Sequence, residues 1–375
     1  MTARASRGRS ARIAIAGGGT GGHVTPALAL GEELRARGAE LVFVGAERGI
    51  EKKLVPEAGF ELVLLDARPL IGRGIGERIA ALLALARATL RARRLLRERG
   101  VALVISVGGY ASVPAALAAT LARVPLVLVN TDAVPGAANR LLARFATRIF
   151  AGFSGTVQAL PPRAAARAVV TGVPLRRALR ERFADAASAA RADASRAARL
   201  FVFGGSLGAR QINELLIELA KPLAAAGVEI FHQTGEADRE RVAAAYQAAG
   251  ARAEVVAFER DMPRRYAWAD LVVCRAGAIS VAELALAGRA ALLIPLGHVG
   301  GGEQFANARE LERAGGARVL ESRGLSGGAF EQALFALLAD RARLAEMGAR
   351  AAASARPNAS EAIAEASLAL AGGAA

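Results

Sequence analysis

The stretch GGGTGGH at residues 17–23 holds the residue types in this chain that are best suited to chemistry. Glycine lets the backbone approach a ligand closely, and the N-terminus of a helix offers unpaired N–H groups to an anion. The stretch ends in His23, one of 3 histidines in the chain, and an imidazole at the mouth of such a loop can act as a general base near neutral pH. A glycine-rich turn between a strand and a helix, with no bound anion, accounts for the same residues equally well.

Three further glycine turns follow along the chain. They read GGYAS at residues 108–112, FGGSLGA at 203–209 and RAGAIS at 275–280. Each follows an apolar run and leads into a helical pattern, so each is a candidate site for a phosphate group. The first stretch is not a clean dinucleotide fingerprint, because no acidic residue ends the run at 41–44, and the chain has no P-loop lysine.

Apolar runs that alternate with helical patterns predict the elements that must position these turns. We predict strands at 13–16, 41–44, 62–65, 103–107 and 126–129, and again at 199–203, 229–231, 254–256, 271–274 and 291–295. Apolar residues at helical spacing predict one long helix over 77–99. Strands that alternate with helices indicate parallel sheets covered on both faces, in which ligands bind beyond the carboxyl ends of the strands.

The length of 375 residues is too great for one hydrophobic core, and the pattern at 12–19 returns at 199–206. We therefore predict an α/β protein with two Rossmann-like, doubly wound domains facing a central cleft. The expected segments are a basic disordered tail at 1–11, an N-terminal domain at 12–172 and a C-terminal domain at 173–356, with an Ala/Arg-rich linker at 184–198. Pro357 interrupts the last helical region, so a helix within 357–375 is expected to cross back to the first domain.

The net charge of +15 is unevenly distributed. Residues 1–172 carry 24 basic and 11 acidic side chains, a balance of +13, which leaves +2 for the rest. A one-sided basic surface indicates an anionic partner, although the excess of arginine over lysine is also what a biased genome composition produces. Aromatic residues make up only 5% of the chain, which argues against base stacking, so we expect no nucleic-acid partner.

Composition excludes several other classes. The single cysteine, Cys274, rules out an internal disulfide and suits a cytosolic protein. No apolar run approaches the roughly 18 residues of a membrane-spanning helix. The arginine-rich start of the chain has no apolar h-region and is not expected to be a signal peptide.

The order and spacing of these motifs, together with Glu283, Gln304 and Asn307, resemble the MurG family of peptidoglycan glycosyltransferases over roughly residues 12–370. The resemblance implies a GT-B fold, with UDP-N-acetylglucosamine (UDP-GlcNAc) bound mostly by the C-terminal domain. It implies that the acceptor is lipid I, the undecaprenyl-pyrophosphoryl-N-acetylmuramoyl-pentapeptide, bound by the N-terminal domain. The acceptor 4-hydroxyl would attack the anomeric carbon with inversion, and UDP would leave without a bound metal or any cofactor.

The resemblance also implies roles for individual residues. His23 would be the base or would position the acceptor, although it could instead shape the loop. Arg176 would hold the diphosphate together with Ser206, unless it is a solvated linker arginine. Glu283 would bind the ribose hydroxyls, unless it is only a helix-dipole charge. The remaining substrate-binding residues are Thr20, Gly21 and Gly22 for the sugar and phosphate, Ala278, Ile279 and Ser280 for the phosphates, Phe258, Glu259 and Met262 for uracil, and Asp132 and Gln304 for sugar hydroxyls.

Three segments depart from the family pattern. Asn130-Thr131-Asp132 stands where the family often has Glu-Gln-Asn, and Val173 stands where it has Asn. The frequently acidic pair before Glu303 is Gly301-Gly302 here. All three lie close to the expected donor sugar, so these departures place the donor contacts in question more than the fold.

The basic first half and the segment 71–83, where apolar residues are flanked by arginine, predict contact with an anionic membrane surface. An ordinary amphipathic helix packed on the sheet would show the same pattern. We expect a peripheral protein at the cytoplasmic face of the inner membrane. The alternatives are a glycolipid or natural-product transferase that uses another UDP-sugar, a nucleotide-sugar epimerase of GT-B fold, and a non-catalytic nucleic-acid binder suggested by charge alone.

Overall fold

The structure, a computed structural model, describes residues 11–67, 75–189, 196–205, 208–297 and 302–373. Expectations about the tail at 1–10, residues 71–74, Ser206 and Gly301 lie outside the described residues. The chain divides into two compact units. Unit 1 comprises Met1–Thr131, Pro135–Arg177 and Asn358–Ala375, and unit 2 comprises Asp132–Val134 and Ala178–Pro357.

Unit 1 is built on a parallel sheet with the strand order β3-β2-β1-β4-β5-β6-β7 among its described residues. The strands are β1 (Arg12–Gly17), β2 (Glu40–Ala46), β3 (Leu62–Leu65), β4 (Leu103–Gly108), β5 (Leu126–Asn130), β6 (Arg148–Ala151) and β7 (Ala168–Val170). The helices are α1 (Gly21–Ala36), α2 (Glu51–Glu57), α3 (Ile75–Glu98), α4 (Val113–Ala122), α5 (Ala137–Leu142), α6 (Ser154–Gln158) and α7 (Pro162–Ala165), with the terminal helix α17 (Ala359–Gly372).

Helices cover both faces of this sheet, as the continuous apolar strands require. Successive side chains of β1 point to opposite faces, so Ile13 and Ile15 join one core and Ala14 and Ala16 the other. The first core includes residues of α1 and α17, and the second includes residues of α3 and α4. The terminal helix therefore completes the hydrophobic core of unit 1.

Unit 2 repeats the architecture with the strand order β10-β9-β8-β11-β12-β13. The strands are β8 (Arg199–Phe203), β9 (Glu229–Gln233), β10 (Arg252–Val256), β11 (Leu271–Cys274), β12 (Ala290–Leu293) and β13 (Ala317–Val319). The helices are α8 (Arg177–Ala189), α9 (Arg210–Glu218), α10 (Ala220–Ala225), α11 (Arg239–Ala248), α12 (Met262–Trp268), α13 (Ala278–Ala287), α14 (Glu303–Arg313), α15 (Gly327–Leu338) and α16 (Arg341–Ala353). On β8, Leu200 and Val202 face one core, while Phe201 lies against Phe231 and Tyr266.

The chain order reverses once in each sheet, between β1 and β4 in unit 1 and between β8 and β11 in unit 2. In open parallel sheets, a ligand crevice forms beyond the carboxyl ends of the strands at such a point. All four glycine turns follow one of these four strands. The two predicted α/β sheets are thus confirmed, and the topology accounts for the positions of the glycine turns.

The units divide at Arg177, whereas the sequence places the boundary at 172/173. The reason is that the connecting segment bonds to unit 1: Ser360 donates its hydroxyl to the Leu175 carbonyl at 3.0 Å, and Arg177 pairs with Glu33 of α1. Asp132, expected in the N-terminal domain, belongs to unit 2. The predicted linker at 184–198 was wrong in its first part, since α8 continues to Ala189.

Candidate active site

In unit 1, the turn between β1 and α1 exposes the first amides of the helix. Thr20 is the N-cap in an extended conformation, and its carbonyl accepts hydrogen bonds from the N–H groups of His23 (3.2 Å) and Val24 (3.1 Å). Gly21 and Gly22 occupy the first two helical positions, where N–H groups have no intrahelical acceptor. These amides can donate hydrogen bonds to an anionic or hydroxyl oxygen of a ligand.

The His23 side chain is held between two turns. Its Nδ1 lies 3.1 Å from Thr20 Oγ1. A Cβ built on Gly108 would lie 3.0 Å from His23 Cδ2, and one on Gly109 would lie 3.3 Å from Nδ1. The turn after β4 therefore packs its backbone against the imidazole. When Nδ1 is protonated and donates to Thr20, the ring lone pair is on Nε2, which is the form that can accept a proton.

The carboxyl end of β5 carries a buried polar network. Asn139 donates its side-chain N–H to Asn130 Oδ1 at 2.9 Å, and Asn130 donates to Thr156 Oγ1 at 3.2 Å. Asn130 and Thr131 are buried. In the segment 130–132, which departs from the family pattern, the side chains of Asn130 and Thr131 therefore lie in the interior of unit 1.

Glu51 is a functional candidate that the sequence reasoning missed. Its fully buried carboxylate accepts hydrogen bonds from the N–H groups of Gly19 and Ala46, both at 2.9 Å. Glu47, the first acidic residue after β2, is exposed. The sequence feature that could have identified Glu51 is its position at the start of a helical pattern shortly after a predicted strand.

In unit 2, the turn after β11 leads directly into α13. Gly277 is its N-cap, and the Val281 N–H donates to the Gly277 carbonyl at 3.0 Å. Ala278, Ile279 and Ser280 are the first three helical residues, so their N–H groups lack intrahelical acceptors. This helix start has the arrangement that binds a phosphate group through backbone amides.

Glu283 lies in the same helix and is 8% exposed. The buried Tyr266 donates its hydroxyl to Glu283 Oε2 at 3.1 Å. Burial raises the pKa of Glu283 to about 7, against the lowering effect of the Tyr266 hydrogen bond. A carboxylate in this setting is suited to accepting hydroxyl hydrogens from a ligand, and its pKa lies in the range where function can depend on pH.

The segment predicted to bind uracil lies between β10 and α12. Phe258 is 56% exposed, which leaves its ring available for stacking. The Glu259 N–H donates to Gln233 Oε1 at 3.3 Å, and the Glu259 carboxylate pairs with Arg265 at 2.7 Å. Met262 is the first residue of α12. The buried Gln233, which the sequence did not single out, also donates to the Gly205 carbonyl at 2.8 Å and so links this segment to the turn after β8.

Asp132 and Gln304 both make contacts within unit 2. Asn307, fully buried in α14, donates to Asp132 Oδ1 at 2.9 Å and accepts from the Ala133 N–H at 2.7 Å. Gln304, at the start of α14, accepts the Leu296 N–H at 2.9 Å. One oxygen of each side chain therefore already has a protein donor.

Arg176 pairs with Glu32 of α1, with its Nε 2.9 Å from Glu32 Oε1. The sequence did not reveal this partner. A role for Arg176 on the diphosphate would require the guanidinium to exchange Glu32 for phosphate. Its predicted companion, Ser206, is outside the described residues.

None of the described helices combines the length and apolar character needed to cross a membrane. Within the same residues, no group of three or more His, Cys, Asp or Glu side chains is placed to hold a metal ion.

Comparison with known families matches both units. Residues 13–151 match the N-terminal domain of glycosyltransferase family 28, and residues 199–363 match its C-terminal domain. The matched segments contain the strand pairs β1/β4 and β8/β11, between which the strand order of each sheet reverses.

Individual relatives cover nearly the whole chain. A Nitratidesulfovibrio vulgaris protein is 42% identical over 94% of this chain and 95% of its own length. A Stutzerimonas stutzeri protein is 40% identical over 97% of this chain and 100% of its own. Both are named UDP-N-acetylglucosamine–N-acetylmuramyl-(pentapeptide) pyrophosphoryl-undecaprenol N-acetylglucosamine transferase. The crystal structure of Acinetobacter baumannii MurG superposes with a TM-score of 0.81 at 30% identity, covering 95% of this chain and 99% of that one.

Proposed function

This chain belongs to glycosyltransferase family 28, and from that membership we infer its reaction and the roles of its site residues. It is a UDP-GlcNAc-dependent transferase of peptidoglycan synthesis, which adds N-acetylglucosamine to lipid I and forms lipid II. The observation that carries this conclusion is identity of 40% or more to transferases of that name over at least 94% of the chain.

We propose that unit 2 binds the donor. The amides of Ala278, Ile279 and Ser280 bind the pyrophosphate, assisted by Ser206 and by Arg176, which belongs to unit 1. The Glu283 carboxylate accepts hydrogen bonds from the ribose hydroxyls. Phe258 stacks on uracil beside the Glu259 backbone and Met262, while Asp132 and Gln304 contact sugar hydroxyls. Helix N-terminal amides and an arginine are groups that stabilise the negative charge developing on departing UDP.

Unit 1 binds the acceptor and supplies the base. The 4-hydroxyl oxygen of the muramic acid attacks C1 of N-acetylglucosamine, the bond from C1 to the phosphate oxygen breaks, and the configuration inverts. The hydroxyl proton passes to His23 Nε2 while Nδ1 donates to Thr20. The N–H groups at Gly21 and Gly22 contact the transferred sugar and its phosphate. The position of His23 at a helix start, held by Thr20 and the turn after β4, supports this role.

We also propose that unit 1 docks on the cytoplasmic face of the inner membrane, where the undecaprenyl chain of lipid I is anchored. The exposed side of α3 supports this, since Leu82, Leu83 and Leu90 are more than half exposed and exposed arginines lie among them. Apolar residues flanked by arginine suit shallow insertion into anionic lipid.

The test is transfer of radiolabel from UDP-GlcNAc to a lipid I analogue, with and without EDTA. We expect labelled lipid II in both conditions. Labelled N-acetylglucosamine released or isomerised without acceptor would instead identify an epimerase, and efficient transfer from a different UDP-sugar would change the donor. Loss of transfer with EDTA, restored by a divalent cation, would contradict a metal-independent reaction.

A further inference from the structure

We propose that Glu51 is a positioning residue for the transfer reaction, because its buried carboxylate holds the glycine turn in front of α1 and thereby sets the position of His23. This inference rests on the base role proposed for His23 and deepens it. Glu51 is the first residue of α2, on the connection that follows β2.

Each oxygen of the Glu51 carboxylate accepts a hydrogen bond from a different segment of the chain. Oε2 accepts the Gly19 N–H from the turn after β1, and Oε1 accepts the Ala46 N–H at the end of β2, both at 2.9 Å. The side chain is fully buried. A buried carboxylate is costly unless its oxygens are hydrogen-bonded, so these two bonds tie the turn and the strand to one point.

Three glycines make room for this carboxyl group. A Cβ on Gly18 or Gly49 would overlap the Glu51 carboxyl atoms, and one on Gly45 would lie 2.6 Å from its Cγ. None of these three glycines has a positive φ, so backbone conformation does not require them. The glycines at 18, 45 and 49 are explained by the space that the Glu51 side chain occupies.

The path from Glu51 to His23 is short. Gly19, which donates to Glu51, precedes Thr20, and Thr20 accepts the His23 N–H and contacts Nδ1 of the ring. Tyr110 braces the other side: its hydroxyl donates to the Arg48 carbonyl at 2.9 Å, and its ring would lie 3.1 Å from a Cβ on Gly19. A displaced Gly19 would therefore move both the N-cap and the imidazole.

The first experiment is Glu51→Gln, which preserves the side-chain shape but replaces one acceptor oxygen with a donor. We expect kcat to fall about 10–100-fold, because small misplacement of a catalytic group costs factors of this size. The KM for UDP-GlcNAc should change less than kcat, because the ribose and uracil contacts are proposed on unit 2 and not on the turn that Glu51 holds. Turnover is referred to the concentration of folded enzyme, measured by circular dichroism and UDP binding, because partial unfolding would also lower the apparent kcat at constant KM. Glu47→Gln, an exposed carboxylate on the same connection, is the matched control and should leave kcat unchanged. Wild-type kcat in Glu51→Gln would overturn the proposal.

The second experiment is a double-mutant cycle between Gly18→Ala and Glu51→Ala. In the wild-type background, the new methyl group must displace the carboxylate, and we expect kcat to fall roughly tenfold or more. In the Glu51→Ala background, the space is vacant and Gly18→Ala should cost less than about twofold. Equal costs in the two backgrounds would contradict the proposed contact. If Glu51→Gln does not fold, Gly18→Ala alone, which retains the carboxylate, carries the test, and wild-type kcat in Gly18→Ala would then overturn the proposal.

A third variant separates this inference from the base role. If Glu51 acts through His23, Glu51→Gln should cause no further loss of kcat in a His23→Ala background. If His23→Ala keeps near-normal turnover, the base role fails, whereas the Gly18–Glu51 cycle still reports on the carboxylate. Additive losses in the combined variant would overturn action through His23.

Discussion

At the scale of single residues, His23 is the group whose chemistry can be tested most directly. Its imidazole contacts Thr20 Oγ1 and packs on the Gly108–Gly109 turn, so its orientation is set by two separate loops. His232 offers a contrast. It is fully buried between Asn213 and Tyr246, and burial lowers its pKa to about 3, so it stays neutral in any assay near pH 7.

We expect His23→Ala to lower kcat by roughly 10²–10⁴, the usual contribution of a general base. The KM for UDP-GlcNAc should change little, because the His23 side chain is not among the proposed donor contacts. His23→Gln, which retains a hydrogen-bonding group but is not a base, should be equally slow. Steady-state kinetics with a lipid I analogue measure both variants, and near-normal turnover of either one would exclude the base role.

Glu283 should make donor binding depend on pH. Its pKa is raised to about 7, so at pH 6 the carboxyl is mostly protonated and cannot accept both ribose hydroxyls. The KM for UDP-GlcNAc should therefore fall as pH rises through about 7. Tyr266→Phe removes a hydrogen bond that lowers the pKa, so the midpoint should move to higher pH.

The control for this titration is Glu283→Gln, which should raise the KM and abolish its dependence on pH between 6 and 8. A wild-type KM that is constant over that range would show that Glu283 does not bind the donor as a carboxylate. A midpoint that is unmoved in Tyr266→Phe would show that the tyrosine does not tune it.

At the scale of elements, the glycine turns that follow the strands carry most of the proposed substrate contacts. The turn after β8 contains Gly205 (φ +93°) and Gly208 (φ +77°), a conformation that favours glycine at both positions. They differ in their surroundings: a Cβ on Gly208 would overlap the Thr234 carbonyl, whereas one on Gly205 would meet nothing within 4 Å.

This difference predicts unequal costs for the same substitution. Gly205→Ala should lose about 1–2 kcal/mol from left-handed strain alone. Gly208→Ala should lose more than about 2 kcal/mol and weaken UDP binding, because the turn must also move away from the Thr234 carbonyl. Urea unfolding and calorimetric titration with UDP compare the two variants. Equal stability losses would show that the turn adapts without cost.

At the scale of the whole molecule, charge is the feature that packing does not explain. Residues 1–172 hold +13 of the total of +15. On α3, Arg87, Arg91 and Arg93 are exposed, and the nearby leucines are exposed with them. The proposed contact with anionic lipid accounts for leucine and arginine being exposed together on this helix.

We expect sedimentation with liposomes to increase with anionic lipid content and to decrease with salt, since the attraction is electrostatic and screened. A variant with serine at Leu82, Leu83 and Leu90 should bind more weakly at equal charge. The matched control is Leu121→Ser, an exposed leucine at the end of α4. Binding that ignores both lipid charge and salt would rule out the electrostatic contribution.

Much of this protein follows from local sequence. Apolar runs followed by glycine turns predicted the strands that carry the site, since a buried parallel strand is apolar throughout and the turn must admit a ligand. The predicted long helix at 77–99 is confirmed as α3. The short strands β6, β7 and β13 were not predicted, because runs of three or four residues with charged neighbours carry too little periodicity.

The order of the βα units, the glycine turns at strand ends and the membership of the family were all determined by sequence alone. Only the tertiary structure revealed the partners of the site residues: Glu51 with Gly19, 32 residues away, Arg176 with Glu32, 144 residues away, and Tyr266 with Glu283, 17 residues away. The reason is physical. Periodicity records which face of an element is buried, whereas a hydrogen bond between distant residues depends on how the elements pack, and no local pattern encodes that.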